Sequence, residues 1–205
     1  KVSSKVLAGE VVTMSVDWEP IPAKHRQLIK AFFDEADMGA DAIKTVDFPP
    51  AYGADIVVSC EKAKDPKNGS IYLKPTQFVL GIGCRRDTAF ENIDRAIRQS
   101  LLKLQIDISD IDMIASIDVK KDEPGIKEFC DRNRIEFVTY TADELMAVQG
   151  EFSASQFVRE HVGVDNVCER AAVLACSREC DKAGELIYKK HKYDSVTVAA
   201  AKYPD

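Results

Sequence analysis

The sequence holds 205 residues, with Lys+Arg 28 against Asp+Glu 34 and a formal net charge of -6. A hydrophobic share of 45% and a charged share of 30% suit a globular chain with a core, and exclude a disordered segment or a basic nucleic-acid binder. No apolar run approaches the roughly 18–20 residues of a membrane span and no leader pattern opens the chain, so the expectation is a cytoplasmic protein. It begins at Lys1, which reads as a piece of a longer protein.

Glu10–Val16 is a short strand-like run, broken by Trp18-Glu-Pro-Ile-Pro22. Ala23–Ala36 has helical spacing, with Leu28, Ile29, Phe32 and Phe33 on one side. Ala54–Ser59 is an apolar strand candidate. Pro66 and Asn68-Gly69 then signal a hairpin or turn, and Ile71–Leu73 reads as a short returning strand. Pro75-Thr76 marks the expected boundary, dividing a smaller partial α/β region (1–75) from a larger domain (76–205).

From Phe78 the rhythm is regular. Phe78–Ile82 is an apolar strand running into Gly81-Ile-Gly83-Cys84-Arg85-Arg86, and Thr88-Ala-Phe-Glu91 fits a capping box. Phe90, Ile93, Ile97, Leu101 and Leu104 form one helical stripe. Ile111–Ile117 is the next strand, and Pro124 suits a first helical position. Ile135–Tyr140 is a third strand, and Thr141-Ala-Asp-Glu144 is a second capping box. Ser153 and Asn166 open two further helices, with Glu169 in the pattern of a cap partner. Leu186–Lys190 and Ser195–Ala200 close the chain as a strand pair. This alternation predicts an α/β fold with a mixed, mostly parallel sheet flanked by helices.

Ligands of open α/β sheets bind outside the carboxyl ends of the strands. That rule selects Gly81–Thr88 and Ser116–Glu123. The two loops carry Arg85, Arg86, Lys120 and Lys121 in an acidic protein, a seat suited to a small anionic ligand. The alternative is a pair of tight-turn glycines beside solvated cations. Asp118, Asp122, Glu123 and Glu169 are the candidate acids or bases. Cys84 sits beside arginines at a helix start, which would lower a thiol pKa and suit a nucleophile; the alternative is a packed loop cysteine. The nucleotide reading fails: Arg86 stands where a dinucleotide loop needs its third glycine, and no GxxxxGK[ST] occurs. The six cysteines, Cys60, Cys84, Cys130, Cys168, Cys176 and Cys180, read as reduced thiols. Cys176 and Cys180 with His191 are only a remote metal possibility, and no metal site is expected.

The runs Val79-Leu-Gly-Ile-Gly-Cys-Arg-Arg86, Ala115-Ser-Ile-Asp118, Lys120-Lys-Asp-Glu123 and Ala142-Asp-Glu-Leu145 occur in that order. Ser153-Ala-Ser-Gln-Phe-Val158 and Val162–Ala172 follow. Together they resemble the C-terminal domain of the cobalamin-biosynthesis protein G family, the cobalt-precorrin-5A hydrolases. A smaller stand-alone protein of the aerobic cobalamin pathway is similar to the same domain. Val6–Glu10 and Ala54–Ser59 resemble part of the family's central region.

The resemblance implies hydrolytic opening of the δ-lactone of cobalt-precorrin-5A with release of acetaldehyde, giving cobalt-precorrin-5B. The partner implied is a cobalt-containing tetrapyrrole fringed with carboxylates. Its cobalt belongs to the substrate, and no cofactor of the protein's own is expected. Neither nucleic acid nor membrane is an expected partner, whereas an N-terminal domain of the family or neighbouring pathway enzymes are. Asp118 and Glu123 are the expected catalytic carboxylates. Gly81, Gly83, Cys84, Arg85, Arg86, Thr88, Ser116 and Lys120 are the expected substrate-binding residues. The competing class is a non-catalytic module that binds or hands over corrinoid intermediates.

Overall fold

The computed structural model describes residues 2–18, 21–35, 43–46, 54–59, 70–179 and 183–204. The chain divides into two units, Lys1–Thr76 and Gln77–Pro204. In the first, helices α1 (Val2–Leu7) and α2 (Ala23–Glu35) accompany strands β1 (Val12–Val16), β2 (Ile43–Val46), β3 (Ile56–Val58) and β4 (Ile71–Leu73). The strands pair in the order β2-β1-β3-β4, all in parallel. The returning strand expected at Ile71 is therefore corrected, because β4 runs alongside β3 rather than back against it. Asn68-Gly69 lies outside the described residues. On α2, Ile29 packs on the Met14, Val16, Ile21 and Val58 core while Leu28 is exposed, and the side chains of Phe32 and Phe33 lie outside the description. Asp55 ties this unit together. It accepts from Lys5 Nζ at 2.8 Å, Thr13 N at 2.9 Å and Thr13 Oγ1 at 3.0 Å. The Lys5 hydrogen bond leads those that hold its carboxyl down at about 2.

The second unit contains β5 (Phe78–Cys84), α3 (Phe90–Leu104), β6 (Ile111–Ile117), α4 (Pro124–Asn133), β7 (Glu136–Tyr140), α5 (Ala142–Ala147), α6 (Gln156–Val162), α7 (Val167–Arg178), β8 (Glu185–Tyr193) and β9 (Val196–Lys202). Its sheet has the order β7-β6-β5-β9-β8. Strands β5, β6 and β7 are parallel neighbours, as two strand–helix–strand crossovers require, and β9 returns antiparallel to β5 with β8 at the edge. The mixed sheet flanked by helices is thus the observed architecture. Among the described residues no helix is long and apolar enough to cross a membrane.

Alternation along β5 sends side chains to two cores. Leu80 and Ile82 face α3 and α4 through Ile93, Ile97, Ile126 and Phe129. Val79 lies on the other face, with Ala171, Ala172 and Ala175 of α7. Burial of both faces explains why β5 reads as an unbroken apolar run. The small residues of α7 let its backbone close onto the strand. A Cβ at Gly81 would stand 1.7 Å from the Cys168 carbonyl oxygen.

Two local expectations change. Strand β5 extends to Cys84, so Gly81 and Gly83 are strand residues and not a glycine turn. Helix α3 takes Ala89 as its N-cap, without a side-chain cap, so the Thr88–Glu91 box does not form. The Thr141–Glu144 box at α5 does form, with both reciprocal bonds.

Gly81→Ala is expected to cost about 3 kcal/mol or more in urea unfolding, by overpacking against helix backbone. Gly83→Ala is expected to cost less, since its Cβ would meet only the Thr197 hydroxyl, at 2.7 Å. Equal tolerance of both would show that α7 does not press on β5.

Candidate functional site

Because β5 and β6 are parallel and adjacent, their carboxyl ends open side by side. The segments after them, from Arg85 and from Asp118, meet at that rim, the ligand-binding end of such sheets. They meet through one carboxylate. Glu123, buried, accepts the Thr88 backbone N–H on Oε1 at 3.0 Å and the Lys120 ammonium on Oε2 at 2.7 Å.

The Arg85–Thr88 turn is held at further points. The Arg85 N–H donates to the Ser195 carbonyl at 3.0 Å, and the Thr88 hydroxyl donates to the Arg85 carbonyl at 2.7 Å. Asp87 takes the left-handed backbone that closes the turn, with φ 57. Gly125, in the first turn of α4, abuts Thr88 so closely that a Cβ would stand 2.2 Å from the Thr88 carbonyl oxygen. Arg85 and Arg86 project from this turn into solvent. Among the described residues neither guanidinium has an ion-pair partner, nor does the exposed Lys121.

The residues expected from sequence fall into distinct environments. Gly81 and Gly83 face α7 and Thr197, and their missing side chains serve packing. Ser116 is buried and donates its hydroxyl to the Ile82 carbonyl at 2.7 Å, joining β6 to β5 beneath the rim. Thr88 is buried at the root of the arginine turn. Lys120 is engaged by Glu123, and among the described residues Arg85, Arg86 and Lys121 are rim cations without an ion-pair partner. Asp118, half-buried, opens a short 3-10 turn (Asp118–Lys120) directly after β6. Among the described residues its carboxylate has no hydrogen-bond or ion-pair partner, whereas both oxygens of Glu123 are taken. Of the two readings of Cys84, the lowered thiol is corrected and the packed cysteine stands. Burial pushes its thiol up to about 11, and the nearby Lys120 ammonium does not offset this.

A second buried glutamate lies at the start of α7. The Asn166 side chain accepts the Glu169 N–H at 2.9 Å, as a helix cap does. The Glu169 carboxylate does not complete a capping box. It accepts Ser153 N at 2.7 Å, Ser153 Oγ at 2.8 Å and Lys190 N at 2.6 Å. The register of β8 on β9 shifts between Tyr188 and His191, and Lys190, within that shift, directs its N–H to the carboxylate. Glu169 thereby holds the Ser153 segment, β8 and α7 together. Sequence reasoning missed Ser153 and Lys190 as its partners. The available signal was an acid in the first turn of a helix whose following residues are apolar or small nearly all round. Arg170, next along, pairs with both oxygens of Asp165 at 2.7 and 3.2 Å and donates to the Leu145 and Val148 carbonyls.

The remote metal reading receives no geometry. Cys180 lies outside the described residues, Cys176 is fully buried, and His191 stacks on Tyr188 with ring centroids 4.2 Å apart. Among the described residues no three metal-ligating side chains cluster.

Residues 78–201 match the family pattern described as cobalamin synthesis G C-terminus. The chain is 34% identical over 126 residues to the cobalt-precorrin-5A hydrolase of Salmonella typhimurium, covering 62% of this chain and 34% of that protein. It is 31% identical over 138 residues to the cobalt-precorrin-5A hydrolase of Priestia megaterium, covering 67% and 35%. The matched region thus spans about a third of the length of these curated relatives. The solved structure of CobE, a protein from the cobalamin biosynthetic pathway, is similar with a TM-score of 0.58 and 25% identity, over 61% of this chain and 89% of that one. A cobalamin biosynthesis protein G homolog from Sulfolobus solfataricus shares the fold over 99% of this chain and 54% of its own, with a TM-score of 0.51 and 19% identity.

Iodoacetamide labelling of Cys84 at pH 8 is expected to be far slower than that of an ordinary thiol with a pKa of about 8.5, rising with pH toward 11. Peptide mass spectrometry measures this, and labelling as fast as free cysteine would contradict a thiol held protonated by burial.

Proposed function

The chain belongs to the cobalamin synthesis G C-terminus family, and from that footing we propose that it is the C-terminal part of a cytoplasmic cobalt-precorrin-5A hydrolase of the anaerobic cobalamin route. Residues 1–75 form part of the family's central region in this reading, and the shared fold over 99% of the chain with the Sulfolobus protein supports it. The substrate is a cobalt tetrapyrrole fringed with carboxylates, and the cobalt arrives with it. No cofactor of the protein's own is invoked. Contact with an N-terminal domain of the family, or with neighbouring pathway enzymes, completes the site.

One observation carries the proposal. A braced turn presents Arg85 and Arg86 to solvent, and the loop joined to it through Glu123 carries Lys121 and Asp118; among the described residues none of these four side chains has an ion-pair partner. Guanidinium forks suit carboxylates through paired, charge-assisted hydrogen bonds. They seat the acidic fringe of the macrocycle. Asp118 then takes a proton from a water that attacks the lactone carbonyl. Water's oxygen ends on the carbonyl carbon, and the ring oxygen leaves as an alcohol. Loss of that alcohol's proton lets the adjoining C–C bond break, with acetaldehyde departing and the electron pair remaining on the macrocycle until it is protonated. Amides at the start of α3 are the proposed oxyanion donors, and those beyond Thr88 are the relevant ones, since Glu123 already holds the Thr88 N–H.

A second reading, a non-catalytic module that binds or hands over corrinoid intermediates, has its own support. Protein CobE of a Sinorhizobium species is 27% identical to this chain over 115 residues that make up 75% of its length. A protein built mostly of the matched region therefore exists.

The test uses the full-length protein and follows acetaldehyde released from cobalt-precorrin-5A. Arg85→Ala with Arg86→Ala is expected to raise KM about tenfold or more and to leave the melting temperature nearly unchanged, as exposed substitutions do. An unchanged KM would remove the arginines from the site. Full-length wild type that binds the substrate without releasing acetaldehyde would select the carrier reading.

A further inference from the structure

We infer that Glu123 is a positioning residue, the brace that fixes the carboxylate-binding turn before any ligand arrives. This rests on the seat assigned to Arg85 and Arg86 above. The Glu123 side chain is 4% exposed and the Lys120 side chain 14%, so their 2.7 Å pair is nearly dry. The other oxygen of Glu123 holds the N–H of Thr88, a residue 35 positions earlier in the chain. Thr88 in turn holds the Arg85 carbonyl through its hydroxyl, and Ser195 holds the Arg85 N–H. Removing Glu123 would leave the half-buried Lys120 ammonium without its carboxylate and release the root of the arginine turn in one step. The brace also changes the part played by Lys120. Its charge is met inside the protein, so it orders the rim and does not anchor substrate, and carboxylate binding falls to Arg85, Arg86 and Lys121.

A turn ordered in advance binds more tightly than one ordered by its ligand, because the entropy of fixing it is not charged against binding. Loss of the brace therefore acts on affinity. A general base has the opposite signature, since its loss lowers kcat by about 10²–10⁴. Glu123→Gln keeps an acceptor for the Thr88 N–H and removes only the charge opposite Lys120. Glu123→Ala removes both contacts. Thr88→Val leaves Glu123 in place and cuts the hydroxyl link to the Arg85 carbonyl, along with the hydroxyl's contact with the Cys84 thiol.

All three variants are made in the full-length protein beside the Arg85→Ala, Arg86→Ala pair. Hydrogen exchange at the Thr88 amide reads the brace without any ligand. Titration with uroporphyrin, an octacarboxylate tetrapyrrole, reads affinity, and acetaldehyde release reads KM and kcat. For Glu123→Ala the expected result is Thr88 exchange at least about tenfold faster, with KM and the uroporphyrin Kd raised about three- to tenfold and kcat within about twofold. Glu123→Gln and Thr88→Val are expected to shift affinity in the same direction by less, and they decide the matter if Glu123→Ala does not fold. A loss of kcat by two orders of magnitude at unchanged KM would overturn the inference and make Glu123 a base. Weakened binding in the arginine pair with unchanged binding in the Glu123 and Thr88 variants would overturn the inference alone. Unchanged binding in every variant would overturn it together with the arginine seat.

Discussion

The rim of the second unit depends on one carboxylate that cannot be left unmet. Glu123 is buried where water does not solvate it, so its charge requires a cation and its lone pairs require donors. Lys120 and the Thr88 amide supply them, and they come from the two loops that follow two neighbouring strands. Satisfying Glu123 is therefore the same event as joining those loops. Arg85, Arg86, Lys121 and Asp118, without ion-pair partners among the described residues, lie on the two loops that this demand joins.

The opposite face imposes a similar constraint. Helix α7 lies so close to β5 that Gly81 has no room for a side chain. The first turn of α7 then brings Glu169 under the Ser153 segment and β8, where three neutral donors meet it. Two buried glutamates thus flank β5, one on each side of the sheet. Glu123 takes the Thr88 N–H and the Lys120 ammonium, and Glu169 takes the Ser153 and Lys190 N–H groups, so each ties together segments distant in the chain.

What was legible in the sequence was whatever is encoded locally. The spacing Ile93, Ile97, Leu101 marks α3, Pro124 marks the start of α4, and the Thr141–Glu144 pair forms its box because both members lie within one turn. The parallel direction of β5, β6 and β7 followed from the strand–helix alternation. Partners chosen across the fold were not legible. Thr88 carries the same local signature as Thr141, yet its amide goes to Glu123 and its hydroxyl to Arg85. Glu169 looks like a cap partner and is claimed instead by Ser153 and Lys190. Gly81 and Gly83 suggest a ligand loop because glycine permits close approach, but the sequence does not say that a helix is what approaches. In the first unit β3 and β4 are too short to announce their direction, and their parallel pairing was missed.

The central claim is that a polycarboxylate tetrapyrrole lodges at the rim shared by β5 and β6. Crystallisation of the full-length protein with its cobalt tetrapyrrole substrate tests it most directly, because the anomalous signal of cobalt locates the ligand without bias. The expected result is cobalt density over the carboxyl ends of β5 and β6, with ligand carboxylates on the Arg85 and Arg86 guanidinium groups. Cobalt found at the opposite end of the sheet, or bound only by the first unit, would contradict it.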